Sequence, residues 1–353
     1  MKLISIVGVR PEFVQAAPIS RALAGRHREI MVHTGQHYDF RMSEVFFRQL
    51  GLPAPDYNLE VGSGTHAWQT GQMLIRLEEV LASCAPDCVV VRGDTNSTLA
   101  AALATAKLCI PLVHVEAGLR SFDRTMPEEI NRLLTDRVSD ILFCPTGAAV
   151  RNLANEGIVE GVYQVGDVMY DGLLHNLELA RATSHLMQDL GLAPLAYCFA
   201  TVHREGNTDN EKNLRAILDA FGDSGELIVF PAHPRTRKRI EALGCPLAPT
   251  VRLVDPVDHF GSLLLQSNAR LVLTDSGGVQ KEAYCLGKPC VTLRENTEWV
   301  ETVEAGWNIL AGADRERIGR AIRCFQPPTT RPPLYGDGHA AEKIVEILER
   351  RLI

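Results

Sequence analysis

Cys88-Val89-Val90-Val91-Arg92-Gly93-Asp94-Thr95 opens the stretch that decides the fold, and Leu112-Val113-His114-Val115-Glu116 closes it. Each is an apolar, β-branched run that stops on polar residues, and the Ala-rich amphipathic segment Thr98–Leu108 joins them. A strand, a helix and a second strand in that order make a βαβ unit with parallel strands. Neither strand alternates apolar with polar residues, as expected for strands covered by helices on both faces. Before this unit lie the strand candidates Leu3–Val7 and Ile30–Thr34, with helical patterns over Pro11–Ala24, Arg41–Leu50 and Trp68–Leu81. After it come Ile141–Cys144 and Tyr163–Val165, with helical patterns over Glu128–Val138 and Ala148–Glu156.

Gly166-Asp167-Val168-Met169-Tyr170-Asp171 reads as a crossing point, after which the alternation restarts with strands at Tyr197–Val202, Leu227–Pro231, Val251–Val254, Arg270–Thr274 and Cys290–Leu293. The Pro-rich stretch Gln326–Pro333 breaks the pattern before a last helix, Gly338–Arg351. The fold class is therefore α/β, with two Rossmann-like doubly wound domains. A chain of 353 residues fits two such domains. The domains run 1–168 and 169–337, with 338–353 as the terminal helix.

Composition narrows the function. The chain is 46% hydrophobic and 22% charged, ordinary for a globular protein. Its formal net charge of −7 gives no electrostatic footprint for nucleic acid. Leu99–Val115 is apolar but interrupted by Lys107 and Pro111, which argues against a membrane span. The opening residues read as a strand rather than a signal peptide, so a cytoplasmic location is expected. The nine cysteines lack zinc-site spacing and read as buried reduced thiols, so no metal and no cofactor is expected.

In open parallel sheets, ligands bind beyond the carboxyl ends of the strands. The segments there are unusually polar: Gly8-Val9-Arg10-Pro11-Glu12, Gly93-Asp94-Thr95, His114-Val115-Glu116, Thr201-Val202-His203-Arg204, Pro231-Ala232-His233-Pro234-Arg235 and Thr274-Asp275-Ser276-Gly277-Gly278. Ser276, Gly277 and Gly278 precede the helix Val279–Leu286, so they form either a diphosphate cradle at a helix N-terminus or a plain N-cap with a tight turn. One turn on, Glu282 is either a ribose-binding carboxylate or a helix-surface acid. Arg10 projects from a helix start, towards an anion or into an ion pair with Glu12. Asp94, Glu116 and Glu128 are three acids in or beside such loops, and a proton-transfer enzyme needs positioned carboxylates. Taken singly, Asp94 reads as an N-cap, and Glu128 as a helix-dipole acid within reach of Arg132. His203 suits general acid, general base or phosphate ligand. His33, His37, His114 and His259 read as polar loop residues.

The ordered strings are more specific than any one of them. Gly8-Val9-Arg10-Pro11-Glu12, Gly93-Asp94-Thr95, His114-Val115-Glu116-Ala117-Gly118-Leu119-Arg120, Pro127-Glu128-Glu129 with Asn131-Arg132, and Thr274-Asp275-Ser276-Gly277-Gly278-Val279-Gln280 together resemble the non-hydrolysing UDP-N-acetylglucosamine 2-epimerase family. The resemblance covers essentially the whole chain. It implies a glycosyltransferase-B-like fold with the active site in the interdomain cleft, the last helix returning to the first domain, and a homodimer. It also implies a reaction without metal or NAD: anti elimination of UDP to a 2-acetamidoglucal, then re-addition after reprotonation at C2 from the other face. By matching motif, Asp94, Glu116 and Glu128 are the carboxylates at the sugar, with His203 and Arg132 in support. Arg10, Ser276, Gly277 and Gly278 are diphosphate contacts, Glu282 holds the ribose, and Val257 and Ser262 fall where the family holds uracil.

Some positions depart from the family pattern. Gln15 stands near the phosphates where a Lys is common, Gly206 replaces an acid, and Thr297-Glu298-Trp299-Val300-Glu301 lacks an Arg. Gln36-His37-Tyr38-Asp39 and Trp68-Gln69 differ from the positions that bind activating substrate in regulated members. Several strings are similar to the branch that contains UDP-2,3-diacetamido-2,3-dideoxyglucuronate 2-epimerases, so that sugar is the alternative substrate. A glycosyltransferase of the same fold that uses a UDP-sugar donor is the rival class. It needs only one catalytic base, whereas this chain offers three acids. A hydrolysing epimerase and a non-catalytic UDP-sugar sensor complete the alternatives.

Overall fold

The computed structural model describes residues 1–36, 50–244 and 246–353. The helix expected over Arg41–Leu50, apart from its last residue, lies outside the described residues, as do His37, Tyr38, Asp39 and Cys245. The chain forms two compact units, Met1–Gly172 with Leu334–Ile353, and Leu173–Pro333. No helix is long and apolar enough to cross a membrane among the described residues.

The first unit is built on strands β1 (Lys2–Val7), β2 (Arg28–His33), β3 (Tyr57–Asn58), β4 (Cys88–Arg92), β5 (Leu112–Val115), β6 (Ile141–Cys144) and β7 (Val162–Gln164). Among the described residues they form one parallel sheet in the order β3-β2-β1-β4-β5-β6-β7. Between the strands run helices α1 (Arg10–Leu23), α2 (His66–Cys84), α3 (Asn96–Lys107), α4 (Pro127–Val138) and α5 (Gly147–Asn155), and α6 (Val168–Thr183) follows β7. Successive strand residues face opposite sides of the sheet. Cys88 and Val90 therefore join a core with Leu3, Val113 and Phe143, while Val89 and Val91 join another with Ile4, Ile6 and Leu112.

The second unit carries β8 (Cys198–Thr201), β9 (Ile228–Pro231), β10 (Val251–Val254), β11 (Leu271–Thr274), β12 (Cys290–Thr292) and β13 (Asn308–Leu310). Its parallel order is β10-β9-β8-β11-β12-β13. The helices are α7 (Leu186–Asp189), α8 (Glu205–Thr208), α9 (Glu211–Asp223), α10 (Pro234–Ala242), α11 (His259–Asn268), α12 (Gly277–Cys285), α13 (Val300–Glu304) and α14 (Arg315–Cys324). Here too the strands alternate: Cys198 and Ala200 pack with Leu214 and Ile217, whereas Tyr197 and Phe199 pack with Leu265 and Val272. Each sheet reverses its winding beside its first strand, between β1 and β4 and between β8 and β11, so each has a topological switch point. Two doubly wound units of this kind make the glycosyltransferase-B-like α/β class expected from the sequence.

The last helix, α15 (Ala340–Leu352), belongs to the first unit. Its apolar stripe, Ile344, Val345 and Leu348, is buried against Leu3, Ile19 and Leu23. Full burial of each such side chain contributes roughly 1.5–3 kcal/mol. Asp171, in α6, accepts a hydrogen bond from Ala341 N at 2.7 Å at the start of α15. Burial raises its carboxyl to about 6. The strands β3 and β13 were not anticipated, because two exposed residues and a three-residue run carry no readable period.

Candidate active site

Strands β4 and β5 are neighbours with Arg92 opposite Val115, so the segments after them leave the sheet side by side. Asp94 is half-buried, and its carboxylate meets the Arg132 guanidinium. Arg132 also reaches Glu129 at 3.0 Å, and Asn131 donates to the Asp94 carbonyl at 2.9 Å. Asp94 is not the helix cap that it resembled in isolation. Thr95 holds that position, accepting from Thr98 N at 3.3 Å, which leaves the Asp94 carboxylate to Arg132.

Glu116 has φ +74°, a left-handed conformation that costs a non-glycine residue energy and is typical of functional sites. Its backbone N–H is fixed on the Phe143 carbonyl at 3.1 Å, and its carboxylate accepts from the Gln15 amide at 2.7 Å. A side chain at Gly93 would lie 3.7 Å from Glu116 Oε2, so the two loops are in van der Waals reach. Gln15 is buried, and its amide nitrogen bears on this acid. Glu128 is exposed in the first turn of α4, behind Pro127. The ion pair its spacing offered with Arg132 does not form, because Arg132 bonds to Asp94 and Glu129 instead. Buried Glu129 also accepts from the backbone N–H groups of Ser121 and Phe122.

Arg10 is exposed at the first position of α1. Glu12 is no surface partner for it. Its buried carboxylate accepts from Gly8 N (2.5 Å), Val9 N (3.1 Å), Thr95 Oγ1 (2.6 Å) and Thr98 Oγ1 (3.1 Å), so it ties the loop after β1 to the one after β4. Burial raises the Glu12 carboxyl above its ordinary value, although these bonds oppose the shift.

Two histidines correct the polar-loop reading. His33 lies buried in β2, stacked on Phe13 at 5.4 Å between ring centroids. His114 is wholly buried in β5, because the strand runs one face through the core. Its Nε2 donates to the Gly93 carbonyl at 2.9 Å, and its Nδ1 to Asp136 at 2.7 Å. Acceptors on both nitrogens favour the doubly protonated ring. Burial opposes that charge, but Asp136 outweighs it and holds the His114 pKa above the usual value. Asp136 also receives Arg120 at 2.7 Å and Gly118 N at 3.1 Å. Burial penalises its charge too, yet these partners hold it below the usual carboxylate range. His114, Asp136 and Arg120 therefore brace both ends of the segment that presents Glu116. Asp136 and Glu129 were missed in the sequence, although their spacing with Arg132 puts all three on one face of α4.

In the second unit, Asp275 follows β11 at the switch point and is fully buried. It accepts from His203 N and Nδ1 (both 3.1 Å), Arg204 N (3.0 Å) and Asn207 Nδ2 (3.0 Å). Burial works against its charge, but these donors hold its carboxyl below the ordinary range. His203 keeps a half-exposed ring. Ser276 is the N-cap residue of α12, yet its side chain makes no capping bond, so the plain-cap reading does not describe it. Gly278 has open space where a side chain would stand, apart from Ser276 Oγ at 4.0 Å. A Cβ at Gly277 would lie 3.3 Å from Glu298. Glu282 is not a solvated surface acid: burial raises its carboxyl, opposed by a 2.8 Å bond from Gln266 and by His259. A pocket of about 460 Å³ opens here, lined by Phe199, Thr201, His203, Pro256, Val257 and Ser262. Its size and mixed walls suit a nucleoside.

Comparison with known proteins gives the same direction. The family model described as UDP-N-acetylglucosamine 2-epimerase matches residues 21–349. A UDP-N-acetylglucosamine 2-epimerase homolog of Methanococcus maripaludis is 52% identical, covering 99% of each chain. The UDP-2,3-diacetamido-2,3-dideoxy-D-glucuronate 2-epimerase of Pseudomonas aeruginosa is 48% identical, covering 99% of this chain and 100% of that one. The solved UDP-GlcNAc 2-epimerase of Methanocaldococcus jannaschii superposes with a TM-score of 0.89 at 43% identity, covering 99% and 100% of the two chains. A second structure of it, in complex with UDP-GlcNAc and UDP, gives a TM-score of 0.75 at 44% identity with the same coverage.

Proposed function

The chain belongs to the UDP-N-acetylglucosamine 2-epimerase family, and from that premise we propose that it inverts C2 of a UDP-N-acetylhexosamine, converting UDP-GlcNAc to UDP-ManNAc without hydrolysis. A carboxylate removes the C2 proton as the bond from C1 to the diphosphate oxygen breaks. UDP leaves with that electron pair, and C1 and C2 become the double bond of a 2-acetamidoglucal. UDP then adds back to C1 as a proton returns to C2 from the opposite face.

The observation that carries this reading is the placement of Asp94 and Glu116 after adjacent strands, with Glu116 held in a strained conformation. Asp94, Glu116 and Glu128 act at the sugar, supported by Arg132 and His203. Gln15 acts through Glu116, whose carboxylate it holds. Arg10 and the Ser276–Gly278 backbone receive the diphosphate, where a helix N-terminus stabilises the charge that develops on UDP. Glu282 takes the ribose, and the pocket with Val257 and Ser262 takes the uracil.

Chromatography of UDP-GlcNAc after incubation tests the reaction class. Two UDP-sugars with no free UDP are expected. Free UDP with N-acetylmannosamine is the hydrolysing reaction, and turnover only on adding an acceptor is a glycosyltransferase.

A homodimer in the cytoplasm is part of the same reading. Buried thiols such as Cys88, Cys144, Cys198 and Cys290 suit a reducing compartment. Met126, Ile130 and Leu134 expose an apolar stripe at four-residue spacing along α4 and the residue before it, and Phe122 adds to it at 77% exposure. Sedimentation should give a dimer that Ile130→Asp weakens. A 38.8 kDa monomer at micromolar concentration contradicts it.

A further inference from the structure

Trp299 lies in the string Thr297-Glu298-Trp299-Val300-Glu301, which departs from the family pattern, and the roles above leave it unused. It sits between β12 and α13, half-buried beside the first turn of α12. Its indole Nε1 donates to the Gly277 carbonyl at 2.8 Å. Two further contacts hold this segment on the same helix. Lys281 Nζ lies 4.7 Å from the ring centroid, within cation–π range. Thr297 Oγ1 accepts from Trp299 N at 3.0 Å and donates to Gln280 Oε1 at 2.6 Å. Gly277, Gln280 and Lys281 share one face of α12, so the segment is fastened along it.

The Gly277 carbonyl is one end of a peptide group whose other end is the Gly278 N–H. That peptide is planar and trans, so the N–H points the opposite way from the carbonyl. A donor on the carbonyl therefore fixes the direction of the Gly278 N–H. It also polarises the peptide, which makes that N–H a stronger donor. Two successive glycines need such a restraint, because neither has a side chain to limit its backbone angles. The Ser276 side chain makes no capping bond that would supply it. Glu298 faces Gly277, but a carboxylate has no proton to give a carbonyl, and Arg294 holds it at 2.9 Å. The two requirements of the cradle fall to different residues. The glycines leave room for a ligand to approach the backbone, with only Ser276 Oγ, at 4.0 Å, near a Cβ at Gly278. Trp299 supplies the direction.

We propose that Trp299 is a positioning residue for the diphosphate: through the Gly277 carbonyl it aims the Gly278 N–H at a phosphate oxygen, without touching the ligand itself. The inference rests on the UDP-sugar reading above, in which the Ser276–Gly278 backbone receives the diphosphate. Charge on the diphosphate grows as the bond to C1 breaks, so an N–H held in place beforehand serves the reaction as well as the binding.

The test is calorimetric binding of UDP, and of uridine, which lacks the phosphates, to the intact chain and to its Trp299→Phe and Trp299→His variants. The first variant keeps the aromatic bulk and loses the donor. The second loses the bulk, but its ring carries Nε2 where the indole carries Nε1, and at about pH 8 it is neutral. Trp299→Phe should bind UDP about fivefold more weakly, the scale of one neutral hydrogen bond, with uridine affinity unchanged. Trp299→His should stay within about twofold of the intact chain for UDP. Undiminished UDP affinity in Trp299→Phe overturns the proposal. So does a weaker Trp299→His than Trp299→Phe, or an equal loss of uridine, since either makes the ring a packing residue. Those outcomes leave the UDP-sugar reading intact, whereas failure of UDP to bind the intact chain overturns both.

Discussion

Glu116→Gln is expected to lower turnover about 10²–10⁴-fold, the range for loss of a positioned proton-transfer group, while UDP affinity stays within about twofold. Gln has the length of Glu but no basic oxygen, so the change removes chemistry and little volume. The site can absorb it. Gln15 now donates its amide nitrogen to Glu116, and its Oε1 has no hydrogen-bond partner among the described residues. Turning the Gln15 amide over presents that Oε1 to the amide that replaces the carboxylate and restores the contact. The left-handed backbone at 116 and its bond to Phe143 are untouched. Steady-state kinetics beside UDP titration separates the outcomes. A fall in UDP affinity as large as the fall in turnover makes Glu116 a structural residue.

Asp136→Ala should destabilise the protein by roughly 3–5 kcal/mol, the cost of removing one partner from a buried ion pair. It strands the His114 ring and one face of the Arg120 guanidinium, both buried side chains. The pair also sets a pH window. Because Asp136 is held below the ordinary carboxylate range, its contribution is present above that range and is lost as pH falls through its folded value. Because His114 is held above the usual imidazole range, its contribution is full below that range and is lost as pH rises through its folded value. Urea unfolding across pH should show a stability plateau in the natural chain, and Asp136→Ala should flatten both shoulders. A loss below about 1 kcal/mol with an unchanged profile shows that the contact is not an ion pair.

The parallel sheets were legible because strands such as Val89–Val91 and Leu271–Leu273 are uninterrupted apolar runs followed, two residues on, by glycine or acid. The loops that carry Asp94, Glu116 and Ser276 were legible for the same reason, since polar residues directly after such runs stand at the carboxyl end of a sheet. What supports those loops was not. A single histidine within Leu112–Val115 gives no sign that it meets a buried carboxylate, because its partner Asp136 lies on a helix whose register against the sheet is fixed only by packing. Glu128 and Glu129 are adjacent in a first turn, and sequence alone does not tell which faces inward; the structure buries Glu129 and exposes Glu128. Asp94 and Thr95 are both good caps, and a helix start is uncertain by a residue or two. The choice fell to Thr95 because Arg132 claims the Asp94 carboxylate.

A C2 epimerase must break the C2–H bond of its bound UDP-sugar. Proton NMR of UDP-N-acetylglucosamine, and in parallel its uronate, incubated with the protein in D2O measures this directly. A new anomeric signal of the manno epimer is expected for at least one of them, with deuterium at C2 of the product and UDP still attached. If both sugar nucleotides keep their C2 proton and configuration over hours, at a protein concentration where UDP binds, the epimerase reading is contradicted.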